Sequence, residues 1–195
     1  MKKWLFAFIC FATACAATAC DFDEACEGTE AVMVSMSSGN GDYLIDKFEA
    51  SRSGATSETQ GTGVTLACDY QNTIPWEFVT YADARNACLD AGKRLCTKDE
   101  WIAACNGTAV ESCTINAAES TLTGKATCKS SKGVYDMLGN MDEWVEGGLL
   151  MGGSYLSTDS ASISCTTSRS VANYDVSSNA EKGVGFRCCQ DVSTL

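Results

Sequence analysis

Gly133-Val134-Tyr135-Asp136-Met137-Leu138-Gly139-Asn140-Met141-Asp142-Glu143-Trp144 is the stretch on which the reading of this chain turns. Asp136, Asn140, Asp142 and Glu143 bring four oxygen-bearing side chains into twelve residues. Gly139 lets the backbone turn where a side chain would be strained. Val134, Met137, Leu138, Met141 and Trp144 supply apolar groups that a core can bury. Hard oxygens gathered on a tight turn suit Ca²⁺, which accepts carboxylates and carbonyls in a flexible geometry. The alternative is a solvated acidic loop with no ligand.

Moving outward, the segment before this stretch carries two helix starts. Thr80 precedes a run in which Tyr81, Ala84, Cys88 and Ala91 share a face, and Gly92 closes it. Thr97 with Glu100 three residues on is a capping box, followed by Trp101, Ala104 and Cys105 on one side. Val32 to Met36 and Tyr43 to Ala50 alternate as strands around the turn Ser37-Ser38-Gly39-Asn40-Gly41. Residues 51–63 are a Ser/Thr/Gly-rich loop. Residues 106–132 form an irregular loop held by bridges, and Ser157 to Ser170 is an exposed serine-rich excursion. Two short helices among strands and loops give a single α+β domain.

Several segments, in order, resemble the formylglycine-generating-enzyme, or sulfatase-modifying-factor, domain. They are Tyr43 to Glu49, Ala91-Gly92-Lys93-Arg94-Leu95-Cys96-Thr97-Lys98-Asp99-Glu100-Trp101, the opening stretch, Met151-Gly152-Gly153-Ser154-Tyr155, and Gly183-Val184-Gly185-Phe186-Arg187-Cys188. The resemblance spans residues 31–190. It implies an irregular domain of that type, related to the C-type-lectin-like fold, with short antiparallel strands. It also implies a Ca²⁺ site on Asp136, Gly139, Met141 and Glu143. In that family two cysteines after the Gly-Gly-Ser segment bind Cu(I), and oxygen converts a substrate cysteine to formylglycine. Soft thiolates select Cu(I). Here the two positions fall on Ser157 and Ser162, and the nearest sulfur is Cys165, three residues late. Serine hydroxyls are poor ligands for a soft ion, so no catalytic residue is assigned and copper is not expected. Arg94, Arg187, Trp101 and Trp144 are expected to hold the core rather than a ligand.

Composition narrows the compartment and the partners. The chain has 195 residues, a formal charge of −11 and no histidine. That acidity argues against nucleic acid or an anionic membrane surface as partner. Lys2 and Lys3 followed by a short apolar run make residues 1–19 an export signal. Ala17-Thr18-Ala19-Cys20 fits ordinary cleavage or a lipoprotein site, with Cys20 lipidated as the only membrane attachment. Residues 20–30 form a tether and 191–195 a tail.

With Cys20 lipidated, ten cysteines remain to pair: Cys26, Cys68, Cys88, Cys96, Cys105, Cys113, Cys128, Cys165, Cys188 and Cys189. Such density after an export signal points to an oxidising compartment. Cys88 or Cys96 is expected to bridge to Cys188 or Cys189. The functional expectation is an exported, non-catalytic binding or scaffold module of a bacterial cell envelope. Its partner would be a peptide, protein or glycan, with one structural calcium. The alternatives are the copper-dependent oxidoreductase and a calcium-dependent glycan-binding lectin-like protein.

Overall fold

Thr80 and Thr97 start the two α-helices found among the described residues. The computed structural model describes residues 25–26, 31–39, 41–172 and 180–192. The export segment, Cys20, most of the tether and residues 193–195 lie outside them. At the head of α1 (Tyr81–Asp90), the Thr80 hydroxyl accepts the Asp83 N–H. At the head of α2 (Lys98–Cys105), Thr97 accepts the Glu100 N–H and the Glu100 carboxylate accepts the Thr97 N–H, the reciprocal capping box. Helices this short are marginal alone and depend on the face they bury. That face is Tyr81, Ala84, Ala87 and Cys88 in α1, and Glu100, Trp101, Ala104 and Cys105 in α2.

Two small sheets carry the rest. The first has the order β1 (Val34–Ser38), β2 (Gly41–Ile45), β8 (Cys188–Asp191), β3 (Arg94–Leu95), all antiparallel. The second has the order β6 (Ser168–Ser170), β5 (Leu149–Met151), β4 (Asp142–Val145), β7 (Val184–Phe186). Its β4–β7 pair is parallel, so this second sheet is mixed rather than wholly antiparallel as expected. Strand β8 runs to Asp191, one residue beyond the expected domain end.

The second expected strand is cut short, and the reason is local. Asp69 accepts the backbone N–H groups of Lys47 and Phe48, which a sheet partner would otherwise take. The chain therefore leaves the sheet after Ile45. Burial pushes the Asp69 carboxyl up to about 7, with Asp46 adding to the effect.

Strands β7 and β8 belong to different sheets, and Arg187 is the one residue between them. Its side chain is fully buried. The core lies in two clusters. One holds Trp101, Met137, Leu138 and Met151, and the other Trp76, Trp144, Leu150 and Phe186. Among the described residues, no helix is long and apolar enough to cross a membrane.

All ten cysteines counted for pairing are bridged: Cys26–Cys68, Cys88–Cys188, Cys96–Cys189, Cys105–Cys165 and Cys113–Cys128. The adjacent cysteines of β8 thus fasten α1 and the segment before α2 to the closing strand. Cys105–Cys165 pins the serine-rich excursion to the end of α2.

Candidate functional site

The oxygen-rich stretch is neither a solvated loop nor a set of open ligands. Asp136, Asn140, Asp142 and Glu143 are all buried. Glu143 sits on β4 and faces Arg187, whose Nε and Nη2 donate to its two carboxylate oxygens at 2.7 and 2.6 Å. The Trp101 indole N–H donates to the same carboxylate at 2.8 Å. Arg187 also donates to the Tyr135 carbonyl. Burial opposes the Arg187 charge, but Glu143, Glu49 and Asp136 outweigh it and hold its pKa above the ordinary arginine value.

Of the four positions expected to hold calcium, Glu143 is already engaged by protein donors. A cation bound through Glu143 would have to displace Arg187 and Trp101. Asp136 gives Oδ2 to the N–H groups of Gly124 and Lys125, while its Oδ1 is buried without a partner. Burial raises the Asp136 carboxyl to about 6. The Met141 N–H donates to Glu49. Gly139 is at φ +70°, and a Cβ there would strike the Thr114 carbonyl, so the glycine serves the turn and that close approach. Among the described residues, no group of three or more Cys, Asp or Glu side chains is placed to hold a metal ion.

Asn140 has a different task. It adopts φ +55° and reaches in four directions. Its Oδ1 accepts the Thr121 N–H at 2.8 Å, and its Nδ2 donates to Glu49 and to the Thr121 carbonyl. Its backbone N–H donates to the Thr114 carbonyl, and its carbonyl accepts the Tyr155 N–H. The Asn116 and Ala117 N–H groups then bond to the Ser157 and Tyr155 carbonyls. One asparagine thereby joins the 114–121 loop to the segment after Gly152-Gly153.

Between these segments lies a pocket of about 670 Å³. Ile74, Pro75 and Glu77, the run Glu119 to Leu122, and Ser57, Tyr155 and Lys182 line it. Tyr155 is buried, and its hydroxyl donates to Glu77 at 2.8 Å. The same Glu77 oxygen accepts the Gly183 N–H. Lys182 lies over the Tyr155 ring, 5.7 Å from its centroid. Burial first, then Glu77 and Glu119, push the Tyr155 hydroxyl well above its usual pKa, so it stays a neutral donor. Phe78, directly after Glu77, is held at φ +60° with its ring half exposed. A bulky residue in that region is strained, and such strain gathers at functional sites.

The residues considered for copper lie elsewhere and do other work. Cys165, the nearest sulfur, is bonded to Cys105 and offers no thiolate. Ser157 accepts the Ser154 N–H within a turn, and Ser162 donates to the Asp159 carbonyl. In the sequence Asn140 stood out only as one of four oxygen-bearing side chains, and Tyr155 only as the end of the Met151-Gly152-Gly153-Ser154-Tyr155 segment. Sequence reasoning missed Glu77, Leu122 and Lys182 as lining residues. The one signal near them was the chain's only proline, Pro75.

No family model matches the chain, and no curated protein matches it. Solved structures do. One is the "Major Tropism Determinant I1 Variant", at TM-score 0.56 and 16% identity over 76% of this chain and 50% of that one. The "Major Tropism Determinant P3c Variant" follows at TM-score 0.53 and 15% identity over the same shares. "Treponema denticola variable protein 1" matches at TM-score 0.55 and 14% identity, over 83% of this chain and 93% of that one.

The fold is C-type-lectin-like.

This chain spans about half the length of the tropism-determinant structures and nearly the whole of the Treponema protein. The expectation of membership in the formylglycine-generating-enzyme family is therefore corrected: no model of that family matches, and the structural neighbours are other proteins. The motifs that suggested it do structural work in the lectin-like frame. Trp101 and Glu143 meet Arg187 in the core, and Gly152, at φ +86°, lets the backbone pass against Trp101 where a Cβ would clash.

Proposed function

We propose that this protein is a non-catalytic binding module whose ligand enters the pocket bounded by Glu77, Leu122, Tyr155 and Lys182. The observation that carries the reading is the pocket's construction. The buried Asn140 and the Tyr155–Glu77 hydrogen bond fix its walls. The half-buried Ile74 and Leu122 give apolar surface, and Glu77, Glu119, Ser120 and Thr121 line the same space. The structural neighbours are named as a tropism determinant and a variable protein rather than as enzymes, which supports a binding role. The bridged cysteines suit an exported protein in an oxidising compartment.

The test is selection from a random displayed-peptide library and from a glycan array, run against the wild type and Leu122→Arg. Leu122 is half-buried on the pocket wall, so the variant fills the space without cutting a core contact. Intact disulfides and an unchanged circular dichroism spectrum establish that the variant folds. The expected result is a set of binders retained by the wild type and lost by Leu122→Arg. Binders that hold equally to both proteins would overturn the reading.

A further inference from the structure

We propose that this pocket takes a basic side chain from a partner polypeptide, an arginine or lysine flanked by apolar residues. The inference rests on the pocket being the ligand site and adds the chemistry of the occupant.

Three observations carry it. First, the carboxylates stand at the pocket with capacity to spare. Glu77 uses one oxygen for Tyr155 and Gly183, and its other oxygen makes no hydrogen bond among the described residues. Glu119 is exposed and lines the same pocket. Second, the walls suit a long aliphatic stem: Ile74, Leu122 and the Tyr155 ring lie alongside the acids. Basic side chains bury their methylenes on such surfaces while the charged head meets an acid or an aromatic face. Third, the protein already shows that geometry with its own residue. Lys182 is placed over the Tyr155 ring in the same pocket. An incoming cation would find the same ring face and the same acids, with Lys182 as its competitor. The formal charge of −11 adds long-range attraction for a basic partner.

Charge reversal and charge removal then act in opposite directions. Glu119→Lys should weaken binding, and Lys182→Gln should strengthen it. A merely structural role would weaken binding in both variants.

The probes are an acetylated, amidated pentapeptide with arginine between two leucines, and its citrulline and glutamate counterparts. Each is titrated into the isotope-labelled, disulfide-intact protein and followed by amide chemical shifts. The arginine peptide should shift amides of Glu77, Glu119 to Leu122 and Gly183. It should bind about 5- to 10-fold tighter than the citrulline peptide at low salt. That advantage should shrink at about 0.5 M salt, where exposed charges are screened. Equal binding of the arginine and citrulline peptides at these amides would overturn the charge inference and leave the pocket reading standing. No shifts, or shifts confined to another surface, would overturn both.

Discussion

Arg187 and Glu143 form a doubly hydrogen-bonded ion pair in which both side chains are completely buried. Arg187 sits between strands of the two sheets and Glu143 on the strand beside them, so the pair fastens one sheet to the other. Desolvating two charges is costly, and the pair persists because its geometry and the added Trp101 bond compensate. Removing one member strands the other. Glu143→Ala should therefore lower unfolding stability by about 3–5 kcal/mol in urea titrations. A double change to Glu143→Leu and Arg187→Met should recover a good part of that loss.

Calcium should leave the melting temperature unchanged. An ion present at a hundred times its dissociation constant would add about 2.7 kcal/mol. Over a domain of this size that would raise the midpoint by roughly 5–10 °C. With Arg187 already on Glu143, melts in millimolar calcium and in chelator should coincide.

The bridges to β8 should dominate stability under reduction. Cys88–Cys188 and Cys96–Cys189 close loops with sequence separations of 100 and 93 residues. Replacing Cys88 and Cys188 together by serine should cost about 2–5 kcal/mol. Cys113–Cys128 closes a separation of only 15, so its removal should cost less. Urea midpoints of the two double variants give the comparison.

Stability should fall as pH rises from about 4 to about 7. Burial raises Asp136 and Asp142 to about 6 and Asp69 to about 7, and it raises Glu49 well above its normal range, helped by Asp136 and Glu143. In this window the folded protein holds protons that the unfolded chain has released. Each raised carboxyl therefore favours folding below the unfolded pKa of about 4, and that contribution is lost as pH climbs through the folded value. Glu100 behaves oppositely. Burial pushes it up, but the Arg94 hydrogen bonds win and hold it below its normal range. Its contribution is lost only at pH below about 4. Chemical denaturation across pH should show a maximum on the acid side of neutrality.

The helices, the β1–β2 turn and the closing strand were legible in the sequence because each depends on neighbours a few residues away. Thr80 and Thr97 cap within one turn, and Gly92 stops α1 where it stands. The early end of β2 was not legible, because Asp69, which takes the backbone groups of Lys47 and Phe48, lies more than twenty residues on. The role of the oxygen-rich stretch was hidden for the same reason. Glu143 looks like a ligand until Arg187, 44 positions later, is seen to occupy it. The pocket draws on five separate segments, and no spacing pattern in any one of them announces it.

The claim beneath this account is that Asn140 is the joint holding the pocket wall, and amide hydrogen exchange on Asn140→Ala tests it most directly. Thr121 and Ala117 should lose protection by about tenfold or more, as expected when a buried hydrogen bond worth about 1–3 kcal/mol is removed. The amides of β4 and β8 should keep theirs. Unchanged protection at Thr121 and Ala117, or an equal loss throughout both sheets, would contradict it.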